Sequence, residues 1–144
     1  MTALSYALAL IKRWEGCRLT AYQDVAGIWT IGWGATGPGI TRGVVWTQKQ
    51  ADDRLAADVA RFLVGVTAAL KRPANDYQLG AMVALAYNIG LGAFIGSTLL
   101  RLFNAGQVEL AAAQFGAWRR AGGKVVQGLV NRRADERRTF EGRS

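Results

Sequence analysis

The sequence contains no histidine and a single cysteine, Cys17. A lone cysteine cannot close an intramolecular disulfide, and without histidine neither Cys–His nor Ser–His–Asp catalysis is available. The usual zinc ligands are missing as well, so neither a metal nor any other cofactor is expected. Any proton chemistry must rest mainly on carboxylates, and there are only ten aspartates and glutamates. Long apolar runs are also absent. Each is broken by glycine, asparagine or arginine before it could span a bilayer, so no transmembrane helix and no stable membrane insertion are expected. Residues 1–11 are uncharged, but no Lys or Arg precedes them, and Lys12 and Arg13 follow. That polarity is wrong for a signal peptide. The segment reads as the first helix of a protein made in the cytoplasm without an export signal of its own.

What is present fits one globular domain. The chain has 144 residues, 51% hydrophobic and 19% charged, enough for a real core built as two lobes. Eighteen glycines against two prolines imply many tight turns. Eighteen Lys and Arg give a net charge of +8. Such a charge draws the protein to a polyanion: nucleic acid, an anionic membrane surface, or a bacterial envelope rich in carboxylate and phosphate. Charge alone does not choose among them.

Leu4, Leu8 and Ile11 recur at helical spacing, and Gly16 is placed to end that helix. Glu15 continues the apolar stripe, an odd position for an acid with no purpose. The period then changes. Leu19–Tyr22 reads as a strand, Asp24–Gly27 as a turn, and Ile28–Trp33 as a returning strand. Trp29, Ile31 and Trp33 share one face of the second strand. Ile28, Thr30, Gly32 and Gly34 share the other, and with two glycines beside Thr30 it should lack bulk and admit a ligand. Residues 34–43, with four glycines, form a loop.

Thr47 with Gln50 is a capping-box pattern opening a helix to about Leu70, with Ala51, Leu55, Val59, Phe62, Leu63 and Val66 on one face. A second box, Asn75 with Gln78, opens an almost wholly apolar, central helix. Helices are expected at 97–105, at 107–119 and, basic, at about 127–141. In that last one Asp135, Glu136 and Glu141 interrupt the arginines, which suggests a mixed-charge, solvated helix. The predicted fold is α+β and mostly helical. A single domain, 1–144, comprises a first helix (1–15), a β-hairpin lobe (16–46), a connecting helix (47–70) and a larger helical lobe (71–144).

Three residues carry the candidate chemistry: Glu15 at a helix end, Asp24 in the hairpin turn and Thr30 on the returning strand. Two carboxylates facing one another across a cleft suit glycoside hydrolysis. That reaction needs one protonated acid for the leaving oxygen and one ionised partner near the anomeric carbon. Each residue also has an ordinary reading. Asp24 with Gly27 is a common turn pattern, Glu15 could pair with Arg13, Arg18 or a distant arginine, and Thr30 suits a strand. Spacing by itself leaves these open.

The run Glu15-Gly16-Cys17-Arg18-Leu19-Thr20-Ala21-Tyr22-Gln23-Asp24, continuing through Gly27, Thr30-Ile31-Gly32 and Gly34, closely resembles the active-site signature of phage-type lysozymes, glycoside hydrolase family 24. The likeness continues in Ala86–Gly90, Gly92–Phe94, Ser97–Leu100, Asn104–Gly106, Trp118, Gly122–Lys124, Gly128–Val130 and Arg132–Ala134, covering nearly the whole chain. It implies a lysozyme-like fold with the two lobes flanking a cleft. It also implies an endolysin (a muramidase) that hydrolyses the β-1,4 bonds between N-acetylmuramic acid and N-acetylglucosamine in bacterial peptidoglycan, with inversion.

Carried over, Glu15 protonates the glycosidic oxygen, Asp24 stabilises the anomeric carbon or activates water, and Thr30 positions that water. Tyr87 and Asn88 match a pair lining the sugar cleft, and Trp118 is either similar or core. Arg133, or Arg132 beside it, is expected to pair with Glu15. One departure stands out: Ala35 occupies the position where many members carry histidine. That puts in doubt any local salt bridge known from relatives. Cys17 reads as a small packing residue. The resemblance further implies a monomer made in the host cytoplasm. It would reach the wall, in the periplasm or outside the membrane, with the help of a separate membrane-permeabilising protein (a holin). The rival readings are a lytic transglycosylase, which needs only one acid, and a basic nucleic-acid- or membrane-binding module, for which the last helix is poorly suited.

Overall fold

Ala3–Trp14 form helix α1 in a computed structural model that describes residues 1–143. Strands β1 (Arg18–Gln23) and β2 (Trp29–Gly32) follow, then helices α2 (Gln48–Ala69), α3 (Asp76–Ile89), α4 (Leu91–Ile95), α5 (Thr98–Asn104) and α6 (Val108–Ala113). A 3-10 turn (Phe115–Ala117), strands β3 (Arg120–Ala121) and β4 (Lys124–Val125), and helix α7 (Gln127–Phe140) complete the chain. The chain divides into two compact units. Ile11–Asp58 form one, and Met1–Leu10 with the residues from Val59 onward form the other, so both boundaries fall inside helices.

In the Ile11–Asp58 unit, β1 and β2 pair antiparallel with Tyr22 opposite Thr30 and Gln23 opposite Trp29. The register slips between Arg18 and Tyr22, because the middle of β1 bonds elsewhere. Ala21 N–H donates to the Val44 carbonyl at 2.9 Å, and Trp46 N–H to that of Leu19 at 2.8 Å. Residues 44–46 thus act as a short third strand. Ile31, Ala35 and Ile40 form a small apolar core, covered by Ala21, Trp29, Val44 and Trp46. Ala35 therefore serves as core here. At the start of α2 the Thr47 capping box is complete: Gln50 N–H donates to Thr47 Oγ1 and Thr47 N–H to Gln50 Oε1.

The open strand face expected of Thr30, Gly32 and Gly34 does not form. Gly32 has φ +66°, which ends β2 and breaks the alternation. It is buried, and a Cβ there would lie 3.2 Å from the Trp46 ring. Gly32 is small so that Trp46 can pack on it. Only Gly34 is exposed.

In the other unit, every residue from Gly80 to Ala86 on α3 is buried, as an all-apolar helix requires. The Asn75–Gln78 box caps it. Against its N-terminal half, α1 comes so close that a Cβ on Gly80 would sit 2.5 Å from Tyr6 Cβ. Elsewhere in this unit, Phe140 of α7 meets Phe103 and Phe115 at ring separations of 6.1 and 5.3 Å.

Two expectations need correction here, and one element was not foreseen. The predicted helix 107–119 is two pieces, α6 and the 3-10 turn. The Gly122-Gly123 pair, both with positive φ, makes a tight β3–β4 hairpin that periodicity did not reveal. Helix α7 is also not solvated along its charged face: Arg132, Arg133, Asp135 and Glu136 are all buried. The charges are tolerated because they pair one turn apart. Arg133 Nε lies 2.8 Å from Glu136 Oε1, and Arg132 Nε 3.5 Å from its Oε2. Burial still pushes the Glu136 carboxyl up to about 7, against the pull of both arginines.

Candidate active site

Glu15, Asp24 and Thr30 all belong to the Ile11–Asp58 unit. Glu15 closes the last turn of α1, its N–H donating to the Ile11 carbonyl at 2.8 Å, and it is half-buried. Beside it stands the turn that follows β2. Ile31 and Ala35 exchange both backbone hydrogen bonds, at 3.0 and 2.8 Å, across the three residues Gly32-Trp33-Gly34. The turn is feasible because Gly32 and Gly34 take φ +66° and +100°, which residues with a side chain rarely adopt. It places Gly34 so near Glu15 that a Cβ there would be 3.7 Å from Oε2. A side chain at this position would come against the carboxylate.

Asp24 starts the β1–β2 turn and also holds it. Its Oδ1 accepts from Ala26 N–H at 2.8 Å and Ile28 N–H at 2.9 Å. Gly27 N–H donates to the Asp24 carbonyl at 2.9 Å, and Gln23 Nε2 donates to the Gly27 carbonyl at 3.1 Å. Both side-chain bonds of Asp24 use Oδ1. Oδ2 makes none among the described residues and keeps its acceptor capacity. Thr30 is only 5% exposed. Its hydroxyl donates to the Ile28 carbonyl at 2.9 Å, which commits the hydrogen and leaves the oxygen as an acceptor. The Ile28 carbonyl also receives the Asp24 N–H at 2.9 Å. One backbone position therefore holds both Asp24 and Thr30.

A supporting network was not foreseen. Trp33 Nε1 donates to Asp52 Oδ1 at 2.8 Å, and Gln48 Nε2 donates to the same oxygen at 3.0 Å. These bonds hold the Asp52 carboxyl below the usual carboxylate range. Lys12 Nζ lies 5.5 Å from the Trp33 ring centre and 3.9 Å from Asp52. Gln48 also reaches Cys17 Sγ, at 3.6 Å. The first turns of α2 thereby fasten the residue between the two glycines of the site. Asp52 reads from sequence as an early-helix acid, and only the Gly-Trp-Gly order hinted that Trp33 needed an anchor.

The other named residues lie outside this unit. Tyr87 near the end of α3 is half-buried, edge-on to Phe62 with ring centres 5.4 Å apart. Asn88 is exposed, and Trp118 is half-buried after the 3-10 turn. Arg133 is 1% exposed and Arg132 6%.

The chain, mostly helical and with a small antiparallel hairpin that bears Asp24 and Thr30 after the helix closed by Glu15, has the lysozyme-like fold. The endolysin of Escherichia coli O157:H7 phage FAHEc1 superposes with a TM-score of 0.87 and 36% identity, over 97% of this chain and 93% of that one. The muramidase domain of SpmX from Asticaccaulis excentricus does so with a TM-score of 0.86 and 34% identity, over 93% of each chain.

The profile of the phage lysozyme family matches residues 12–136, and the chain belongs to that family. An endolysin of Bacillus phage PZA is 49% identical over 133 residues, 91% of this chain but 52% of the relative. The chain thus spans about half the length of the Bacillus phage relatives it matches. By contrast, an endolysin of Acyrthosiphon pisum secondary endosymbiont phage 1, 42% identical, is matched over 94% of its length.

Proposed function

We propose that this chain is a muramidase that hydrolyses the β-1,4 glycosidic bonds of bacterial peptidoglycan and acts as an endolysin in host lysis. The observation that carries the reading is the shared anchoring of Asp24 and Thr30 on Ile28, which leaves Asp24 Oδ2 and Thr30 Oγ1 as acceptors. Two acceptors of this kind take up the hydrogens of one water and turn its lone pair toward the anomeric carbon. Glu15, protonated, gives its proton to the glycosidic oxygen as that bond breaks. Asp24 takes a proton from the attacking water, so the products are a free reducing end and a free hydroxyl. Inversion follows if the water attacks from the face opposite the leaving sugar.

The roles of the remaining residues rest on the family pattern. Tyr87, Asn88 and Trp118 contact the glycan, and their replacement raises KM more than it lowers kcat. Arg133, or Arg132, pairs with Glu15; in double-mutant cycles with Glu15→Gln, only the true partner shows coupling. The protein works as a monomer. It is made in the host cytoplasm and reaches the wall with the help of a membrane-permeabilising holin. It needs no metal or other cofactor.

The test is a digest of purified peptidoglycan by the wild type and by Glu15→Gln, with the fragments identified by mass. Reducing-end muropeptides from the wild type alone support the proposal. Anhydro ends would make the protein a lytic transglycosylase and reduce Asp24 and Thr30 to structural residues.

A further inference from the structure

Where α2 ends, the helical unit has two cavities that share Lys71 as a lining residue. One, of about 630 Å³, is lined by Lys71, Arg101 and Asn104 together with apolar residues including Ile95 and Leu100. The other, of about 330 Å³, is lined by Lys71, Arg72 and Thr67 together with apolar residues including Leu70, Pro73 and Leu79. No carboxylate lines either cavity. Lys71, Arg72 and Arg101 make no ion pair among the described residues. Lys49, Arg54, Arg133, Arg137 and Arg138 have acidic partners, whereas these three cations meet at the two cavities without one.

Two features shape the site for an anion. The end of a helix normally repels anions through its unsatisfied carbonyls. Here Asn104 caps that end, its Nδ2 donating to the Ala69 carbonyl at 3.1 Å and its Oδ1 accepting from Lys71 N–H at 2.8 Å. Arg72 is held over the Phe103 ring at 5.4 Å, and a Cβ on Gly106 would lie 3.0 Å from its Nη1. The guanidinium is thus placed before any ligand arrives.

We infer that these cavities form a binding groove for a phosphodiester-linked polymer of the cell wall, a chain of polyol or sugar units joined by phosphates. The three cations meet the phosphates, and Ala68, Ala69, Ile95 and Leu100 face the carbon skeleton between them. Single-stranded nucleic acid fits less well, because no aromatic side chain lines either cavity to stack a base. A bilayer fits less well because the site is concave and only Ile95 on its rim is a large exposed apolar residue. The groove gives a wall-degrading enzyme a hold on its substrate away from the bond it cuts. In that respect the inference rests on the proposed function.

The experiment titrates poly(glycerol phosphate) into the wild type and into a Lys71→Gln/Arg101→Gln double variant. Both residues are exposed, so the variant should keep the wild-type Tm. Parallel titrations use single-stranded DNA and vesicles of phosphatidylglycerol. The double variant should lose about 30-fold in affinity for the polymer, the product of two cation contacts. The slope of log affinity against log salt should fall by about one for each cation removed. Hydrolysis of peptidoglycan stripped of phosphate polymers should be unchanged, whereas digestion of intact walls slows. Unchanged polymer affinity in the variant would overturn the inference, as would tighter binding of DNA or vesicles than of the polymer. Binding is read without catalysis. If the wild type fails to cut stripped peptidoglycan, the proposed function falls while the titration still decides the groove.

Discussion

Asp24 and Ile28 are bonded to each other twice. The Asp24 carboxylate accepts the Ile28 N–H at 2.9 Å, and the Ile28 carbonyl accepts the Asp24 N–H at 2.9 Å. Oδ1 builds the turn, and under the proposed mechanism Oδ2 is left for chemistry, which would place two duties on one side chain. The duties can be separated by substitution. In Asp24→Asn the amide oxygen still accepts the two backbone N–H groups, so Tm should change little. The ionised oxygen is lost, and kcat on peptidoglycan should fall about 100-fold or more. Asp24→Ala should lose the same activity and, in addition, about 1–3 kcal/mol of stability in a denaturant titration, because the turn N–H groups lose their acceptor. Equal Tm for both variants would show that the carboxylate does not hold the turn.

Gly34 stands beside Glu15 with φ +100°. Space alone would admit a methyl group, since a Cβ would lie 3.7 Å from Oε2. Gly34→Ala should therefore act through backbone strain, costing about 1–3 kcal/mol and loosening the Gly32-Trp33-Gly34 turn. A bulkier Gly34→Val should also cover the carboxylate, so its kcat/KM should fall further than that of the alanine variant at similar stability. Paired Tm and kinetic measurements check this. Equal activity in the two variants would remove Gly34 from the site.

Asp52 holds the Trp33 indole from outside the reacting groups. Asp52→Ala should lower kcat and Tm together, while Asp52→Asn, which retains an acceptor oxygen, should recover most of both. Rescue by asparagine distinguishes a positioning role from one that needs the charge.

Gly80 is where α1 crosses α3. A Cβ there would meet Tyr6 Cβ at 2.5 Å and the Ala3 carbonyl oxygen at 2.8 Å. Neither neighbour can give easily, because one is backbone and the other is the first atom of its side chain. Gly80→Ala should cost about 1–3 kcal/mol despite the better helix propensity of alanine. An unchanged urea midpoint would contradict the close packing of α1 on α3.

Glu136 introduces a pH dependence of known sign. Its carboxyl is raised from 4.5 to about 7 by burial, so the folded protein holds this proton more tightly than the unfolded chain does. The contribution is fully present below pH 4.5 and is lost as pH rises through about 7. The Tm of the wild type relative to Glu136→Gln should therefore fall between pH 5 and pH 8. The variant carries a constant offset, because its buried arginines have lost their carboxylate. A difference that stays flat over this range would show that Glu136 is already ionised at pH 5.

Much of this protein is readable along the chain because the signals are local. The capping boxes at Thr47 and Asn75, the apolar run of α3 and the Asp24 turn each depend on residues within a few positions of one another. Helix and turn geometry therefore fix their outcome. Glu15, Asp24 and Thr30 could be placed on a helix end, a turn and a strand for the same reason, but spacing left their chemistry open and the family resemblance singled them out.

Other features needed the folded chain. The role of Gly32 depends on Trp46 packing against it, and the register slip in β1 depends on residues 44–46 arriving from a distant loop. Helices α4 and α6, at five and six residues, are too short to carry a period. The burial of four charges on α7 ran against composition, because a helix rich in arginine reads as solvated until its ion pairs are seen. Periodicity reports which side of an element is apolar; it does not report what that side meets. Partners far apart in sequence are chosen by packing, and packing is a property of the tertiary structure alone.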